Sequence, residues 1–112
     1  MAAVAFAVPL LGREEELRQF CEQLQGPRKE ELDASQRRHG IVREYWFLQK
    51  SPGGNLVIIA EEAPDLGRSM SMMARSRDPF DVWVREQIKS LIGVDLTQPL
   101  PPPPEELVHY ER

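Results

Sequence analysis

The residues best placed to do chemistry in this chain sit inside its most apolar stretch, IVREYWFLQKSPGGNLVIIAE, from Ile41 to Glu61. Arg43, Glu44, Tyr45 and Trp46 follow one another there, with Asn55 at the join of two strand-like runs and His109 near the end of the chain. Such a set suits the orientation of a small organic ligand: aromatic rings stack on it, and a few polar groups fix its direction. A charge within an apolar strand is informative, because a buried unpaired charge is costly. Side chains alternate along a strand, so Arg43, Tyr45 and Phe47 share one face while Glu44 and Trp46 share the other. Arg43 and Glu44 therefore do not pair directly across a face. Trp46, like Trp83, also has a plainer use, since large aromatics most often fill cores and interfaces.

Other candidates carry less. His39 stands beside Gly40 at the polar end of a helical segment, and His109 has apolar neighbours in Leu107 and Val108 that suggest partial burial. Met70, Met72 and Met73 are spaced as a core stripe and would equally suit an adaptable pocket wall. Cys21 falls on an apolar helical stripe with no histidine near it in sequence, which marks a structural thiol. Ser69-Met70-Ser71 and Arg75-Ser76-Arg77 lack the glycine-rich loop of a phosphate cradle. There is no nucleophile-base pair and no metal-ligand spacing, so these residues identify no catalytic group, and no metal or cofactor is expected.

The 112 residues fit one domain, 1–112, near the small end of the usual range. The chain is 41% hydrophobic and 29% charged with a formal net charge of -4, the balance of an ordinary soluble domain. Its only basic cluster, Arg37-Arg38-His39, follows acidic Glu30, Glu31 and Asp33 and reads as a solvated helix face, which argues against nucleic acid as a partner. One cysteine excludes an internal disulfide framework and fits a reducing cytoplasm. The apolar start, Met1 to Leu11, lacks the positive region of a signal peptide and is too short to span a bilayer; no membrane partner is expected.

The elements that must position these residues are well marked. Ala2 to Pro9 reads as a short, fully buried strand. A helix begins after Gly12, with Glu14, Glu15 and Glu16 in its first turn and Leu17, Phe20, Cys21 and Leu24 as its apolar stripe. Gly26-Pro27 interrupts it, and a polar surface helix over 27–39 follows, stopped by Gly40. Two strands meet at Ser51-Pro52-Gly53-Gly54-Asn55. A helix starts at Ala63-Pro64-Asp65 and runs to about Ala74. Asp78-Pro79 opens another that carries Phe80, Trp83, Val84, Ile88, Leu91 and Ile92 and ends at Gly93. Pro99 to Pro104 must be extended, a stiff connector to a last strand over Glu105 to Arg112.

The order strand, helices, strand, strand, helices, strand is the ferredoxin-like βαββαβ pattern, an α+β fold with helices on one face of an antiparallel sheet. Neither central strand has a polar face, yet the helices cover only one. The bare apolar face calls for a second copy, packed sheet to sheet in a two-fold homodimer.

On this order of elements, and on the runs REYWFLQ, NLVIIAEE and SRDPFDVWVREQI with the proline-rich approach GVDLTQPLPPPPEELVHYE, the chain resembles the dimeric α/β-barrel superfamily, and within it a small bacterial group related to antibiotic-biosynthesis-type monooxygenases. The resemblance implies a dimeric α/β barrel. It names no chemistry of its own, and two functions follow from it as expectations: a non-catalytic or small-ligand-binding module, or a cofactor-independent monooxygenase-like enzyme acting on a small aromatic or polyketide-like substrate. In either, Arg43, Glu44, Tyr45, Trp46 and His109 would meet the ligand. Haem-binding members of the superfamily use an axial histidine, but the open pocket and polar surroundings that haem needs are not visible around His39 or His109.

Overall fold

The computed structural model describes residues 1–112, in the order β1 (Ala2–Leu10), α1 (Glu14–Gln25), α2 (Lys29–His39), β2 (Arg43–Gln49), β3 (Asn55–Ala63), α3 (Leu66–Arg75) and α4 (Pro79–Ile92). The strands form one antiparallel sheet in the order β1-β3-β2, with the helices on one side of it. The class is α+β, as the element order indicated.

Local chemistry accounts for the boundaries. Asp65 accepts a hydrogen bond from the Arg68 N–H at 3.0 Å, and Asp78 from the Phe80 N–H at 3.0 Å, so each satisfies an otherwise orphaned donor at a helix start. Gly40 (φ 74°) and Gly93 (φ 72°) end α2 and α4 in the left-handed region, where a side chain would be strained. The helix expected from Pro27 begins at Lys29, because Gly26 and Pro27 are used in the turn that separates it from α1.

Strand register decides which residues face the helices. The rows Val4–Glu61–Glu44, Phe6–Ile59–Trp46 and Val8–Val57–Leu48 lie across the sheet on the covered face. The rows Ala5–Ala60–Tyr45, Ala7–Ile58–Phe47 and Pro9–Leu56–Gln49 lie on the other face, which no element of the chain covers. Under the helices, Phe20 packs against Trp46 and Trp83 with ring centroids 5.8 and 5.3 Å apart, and Phe80 meets Trp83 at 5.8 Å. The Arg28 guanidinium lies 4.0 Å from the Trp83 ring centroid and closes the cluster from the solvent side. Only 14 of the 112 residues are buried, a small core for a chain of this length.

The expected last strand is a correction. Glu105–Arg112 forms no strand; all eight residues are exposed, and Leu107, Val108 and Tyr110 stand in solvent. Leu107 and Val108 would fall on opposite faces of a strand, so neither face gains enough burial to hold four charged residues at a sheet edge. The observed sheet thus has three strands, and the edge of β1 is unpaired. The extended tail also contributes to a radius of gyration of 14.1 Å, against about 13 Å for a compact domain of this length. No helix is long and apolar enough to cross a membrane.

Candidate functional site

Between the covered sheet face and the helices lies a cavity of about 400 Å³. Its floor is Phe6, Trp46 and Ile59 from the three strands. Leu24 and Leu32 come from α1 and α2, Met70 and Met73 from α3, and Phe80, Val84 and Ile88 from α4. Leu100, Pro101, Pro102 and Pro104 line one side, so the polyproline segment serves as a wall rather than as the approach to a strand.

The polar lining consists of Ser35, Gln36, His39, Glu44, Glu61 and Ser69, and neither lysine nor arginine is among the lining residues. Glu44 and Glu61 are register partners on β2 and β3, so their carboxyl groups share one row of the covered face. Glu44 accepts from Gln36 Nε2 at 2.9 Å and from Trp46 Nε1 at 2.7 Å. Burial, the neighbouring Glu44 charge and a hydrogen bond to Glu44 push the Glu61 carboxyl up to about 8, so near neutrality it carries the proton of the pair. Burial and the same Glu44 charge raise the Cys21 thiol, which keeps it protonated and unreactive.

His39 closes the same cavity from the C-terminal end of α2, one helical turn beyond Gln36. Its side chain is 6% exposed, and its Nε2 lies 3.0 Å from Oδ2 of Asp81, which is fully buried. Asp81 also accepts from the Ser35 and Ser76 hydroxyls and, at 3.2 Å, from Arg38. Burial alone would raise its carboxyl, but these hydrogen bonds, with that of His39, outweigh it and hold Asp81 at about 2. The other neighbours all donate to Asp81, and an Nε2–H of His39 does the same; on a neutral imidazole Nδ1 is then an acceptor. That Nδ1 is buried and has no partner.

Of the five residues expected to meet a ligand, Glu44 and Trp46 line the cavity, and so do His39, Met70 and Met73 among the lesser candidates. Arg43 and Tyr45 lie on the uncovered face: Arg43 pairs with Glu62 across the sheet at 2.9 Å, and Tyr45 stacks on Phe47 with centroids 6.1 Å apart. Asn55 donates to Glu14 at 3.0 Å and takes no part in the cavity. His109 is not partly buried in a strand; it lies in the exposed tail beside Glu111 and Glu106, whose hydrogen bonds raise its pKa. The structure thus brings together Glu44 and Trp46 and separates them from Arg43, Tyr45 and His109. Glu61 and Asp81 do not stand out in the sequence, and His39 reads there as part of a solvated helix face rather than as a cavity residue. Glu61 continues the Val57, Ile59 alternation by one step, and Leu32, Ser35, Gln36 and His39 recur at helical spacing, so signals for Glu61 and His39 are present in the sequence.

No cluster of metal-ligating side chains is present. No protein-family model, curated protein or solved structure matches the chain.

Proposed function

We propose that this chain is a small dimeric α/β module that binds a small, mostly apolar ligand between its sheet and its helices. One observation carries the reading: an apolar cavity of about 400 Å³ that holds a few convergent polar groups, among them a carboxyl pair with one strongly displaced pKa. The volume is that of small-molecule sites, and the lining is mainly hydrophobic. Addition of 3-phenylpropan-1-ol, a neutral ligand that fits the space, is expected to raise Tm progressively with concentration. An unchanged Tm up to the solubility limit contradicts the reading.

The dimer rests on the uncovered face. Tyr45 and Phe47 are 52% and 54% exposed there, beside Ala5, Ala7, Leu56, Ile58 and Ala60. With so few residues buried in one copy, a second copy on this face supplies core that the single chain lacks. The chain is then a member of the dimeric α/β-barrel superfamily, and the unpaired β1 edge is where a final strand would join the sheet. A half-buried free cysteine agrees with a cytoplasmic setting. Light scattering is expected to give twice the 12.9 kDa chain mass, and Ile58→Glu to give the single-chain mass. A wild-type monomer at tens of micromolar overturns this part.

A cofactor-independent enzyme acting on a small aromatic substrate is the second reading. It is favoured by the His39–Asp81 pair, an imidazole oriented by a buried carboxylate with its other nitrogen unpartnered, in the same cavity as the protonated Glu61. A base and an acid kept apart by their surroundings are what proton-transfer catalysis requires. Under this reading turnover is lost in His39→Gln.

A further inference from the structure

At the polar end of the cavity the side-chain donors are spent on other groups: Ser35 on Asp81, Ser69 on the Asp65 carbonyl, and Gln36 and Trp46 on Glu44. The Glu44 carboxylate takes hydrogen bonds from Gln36 and Trp46, and a carboxylate has room for more than two donors. Nδ1 of His39 is buried and unpaired, and on a neutral imidazole it is a second acceptor. The two are near neighbours through α2, since Gln36, bonded to Glu44, precedes His39 by one turn. No basic side chain lines the space to balance a bound anion. Arg38, next to His39 on α2, pairs with Asp81 and Asp78. The rest of the wall is apolar and includes the rings of Phe6, Trp46 and Phe80.

We propose that the cavity takes an apolar organic cation, a primary amine on a hydrocarbon or aromatic body, with the ammonium group held between the Glu44–Glu61 row and Nδ1 of His39. An ammonium has three donors and no acceptor. It gives Nδ1 the partner the chain withholds and gives the Glu44 charge a counter-ion in a space of low polarity, while aromatic faces tolerate the cation and the apolar body fills the remainder. A neutral alcohol satisfies one acceptor with its single donor. A carboxylate meets two glutamates and no cation, and is repelled. The high affinity of Glu61 for its proton fits the same picture, because the site as it stands holds one negative charge and resists a second.

This assignment rests on the cavity being a ligand site, and a matched series separates the two ideas. Calorimetric titration of the unaltered protein near pH 7 with 3-phenylpropylamine, 3-phenylpropan-1-ol and 3-phenylpropanoate compares cation, neutral and anion on one body. The amine is expected to bind about tenfold or more tighter than the alcohol, a difference of about 1.4 kcal/mol, with the carboxylate weakest. Glu44→Gln is expected to remove most of the amine's advantage and leave the alcohol's affinity within about threefold. Alcohol or carboxylate binding as tightly as the amine overturns the amine assignment and leaves the cavity reading standing. No heat and no thermal shift with any of the three removes both. The wild-type comparison decides the matter even if the Glu44 variant does not fold.

Discussion

Asp81→Ala is expected to destabilise the chain by about 3 kcal/mol, which for this length lowers Tm by roughly 12 °C. The carboxylate is fully buried and receives Ser35, Ser76, Arg38 and His39, side chains from α2 and the segment before α4. Without it, the buried Ser35 hydroxyl and the His39 Nε2–H lose their acceptor, and α2 loses its main polar tie to α4. Asp81→Asn keeps the volume but turns one acceptor into a donor among donors, so a smaller loss of about 1–2 kcal/mol is expected. The acid limb gives a further check. Asp81 sits at about 2 in the folded chain, below its unfolded value near 3.9. Its stabilisation is therefore complete above about pH 4 and is lost as pH falls through about 2, up to roughly 2.5 kcal/mol. Chemical denaturation at pH 4 and pH 2 should show that loss in the wild type and not in Asp81→Asn. Equal slopes for the two would mean that the cluster does not tie the helices together.

The second large effect has the opposite sign. Glu61→Gln is expected to stabilise the chain at pH 8 by about 2 kcal/mol or more, and to change little at pH 4. The folded chain holds the Glu61 proton up to about pH 8, whereas the unfolded chain releases it near 4.3. Between those values the folded state binds the extra proton, so wild-type stability falls as pH rises, by at most about 1.4 kcal/mol per unit. An amide donates to Glu44 as the protonated carboxyl does, but has no proton to lose. The variant's stability should therefore fall less steeply from pH 5 to 8 than that of the wild type. Parallel profiles would show that Glu61 is not held protonated by Glu44 and burial.

Much of the architecture is legible in the sequence because it is written in local rules. Asp65, Asp78-Pro79, Gly40 and Gly93 mark helix ends by hydrogen bonding and backbone freedom that act within a few residues. The alternation of Arg43, Tyr45 and Phe47 against Glu44 and Trp46 assigns these residues to the sheet faces they occupy. The last strand is not legible, because pairing at an edge depends on what lies beside it, and eight residues with an alternating pattern do not carry that information. The site is half legible. Glu44 stands out as a charge in an apolar run, but its partner Glu61 lies just past the end of the apolar run in β3. His39 is hidden by an otherwise polar helix: α2 buries Ser35 and His39 against Asp81 rather than an apolar stripe, and hydropathy patterns do not register a polar contact. Asp81 lies three residues after Asp78, whose helix-starting role already explains the local sequence.

The most direct test of the cavity as the ligand site is a methyl-resolved NMR titration with 3-phenylpropan-1-ol. Ile59 and Ile58 are adjacent on β3 but face opposite sides of the sheet, the first into the cavity and the second onto the uncovered face. Saturating ligand is expected to shift the methyl signals of Ile59, Ile88, Met70 and Met73 and leave those of Ile58 and Leu56 in place. Shifts confined to Ile58 and Leu56, or no shifts at all, would contradict the assignment of the space between sheet and helices as the binding site.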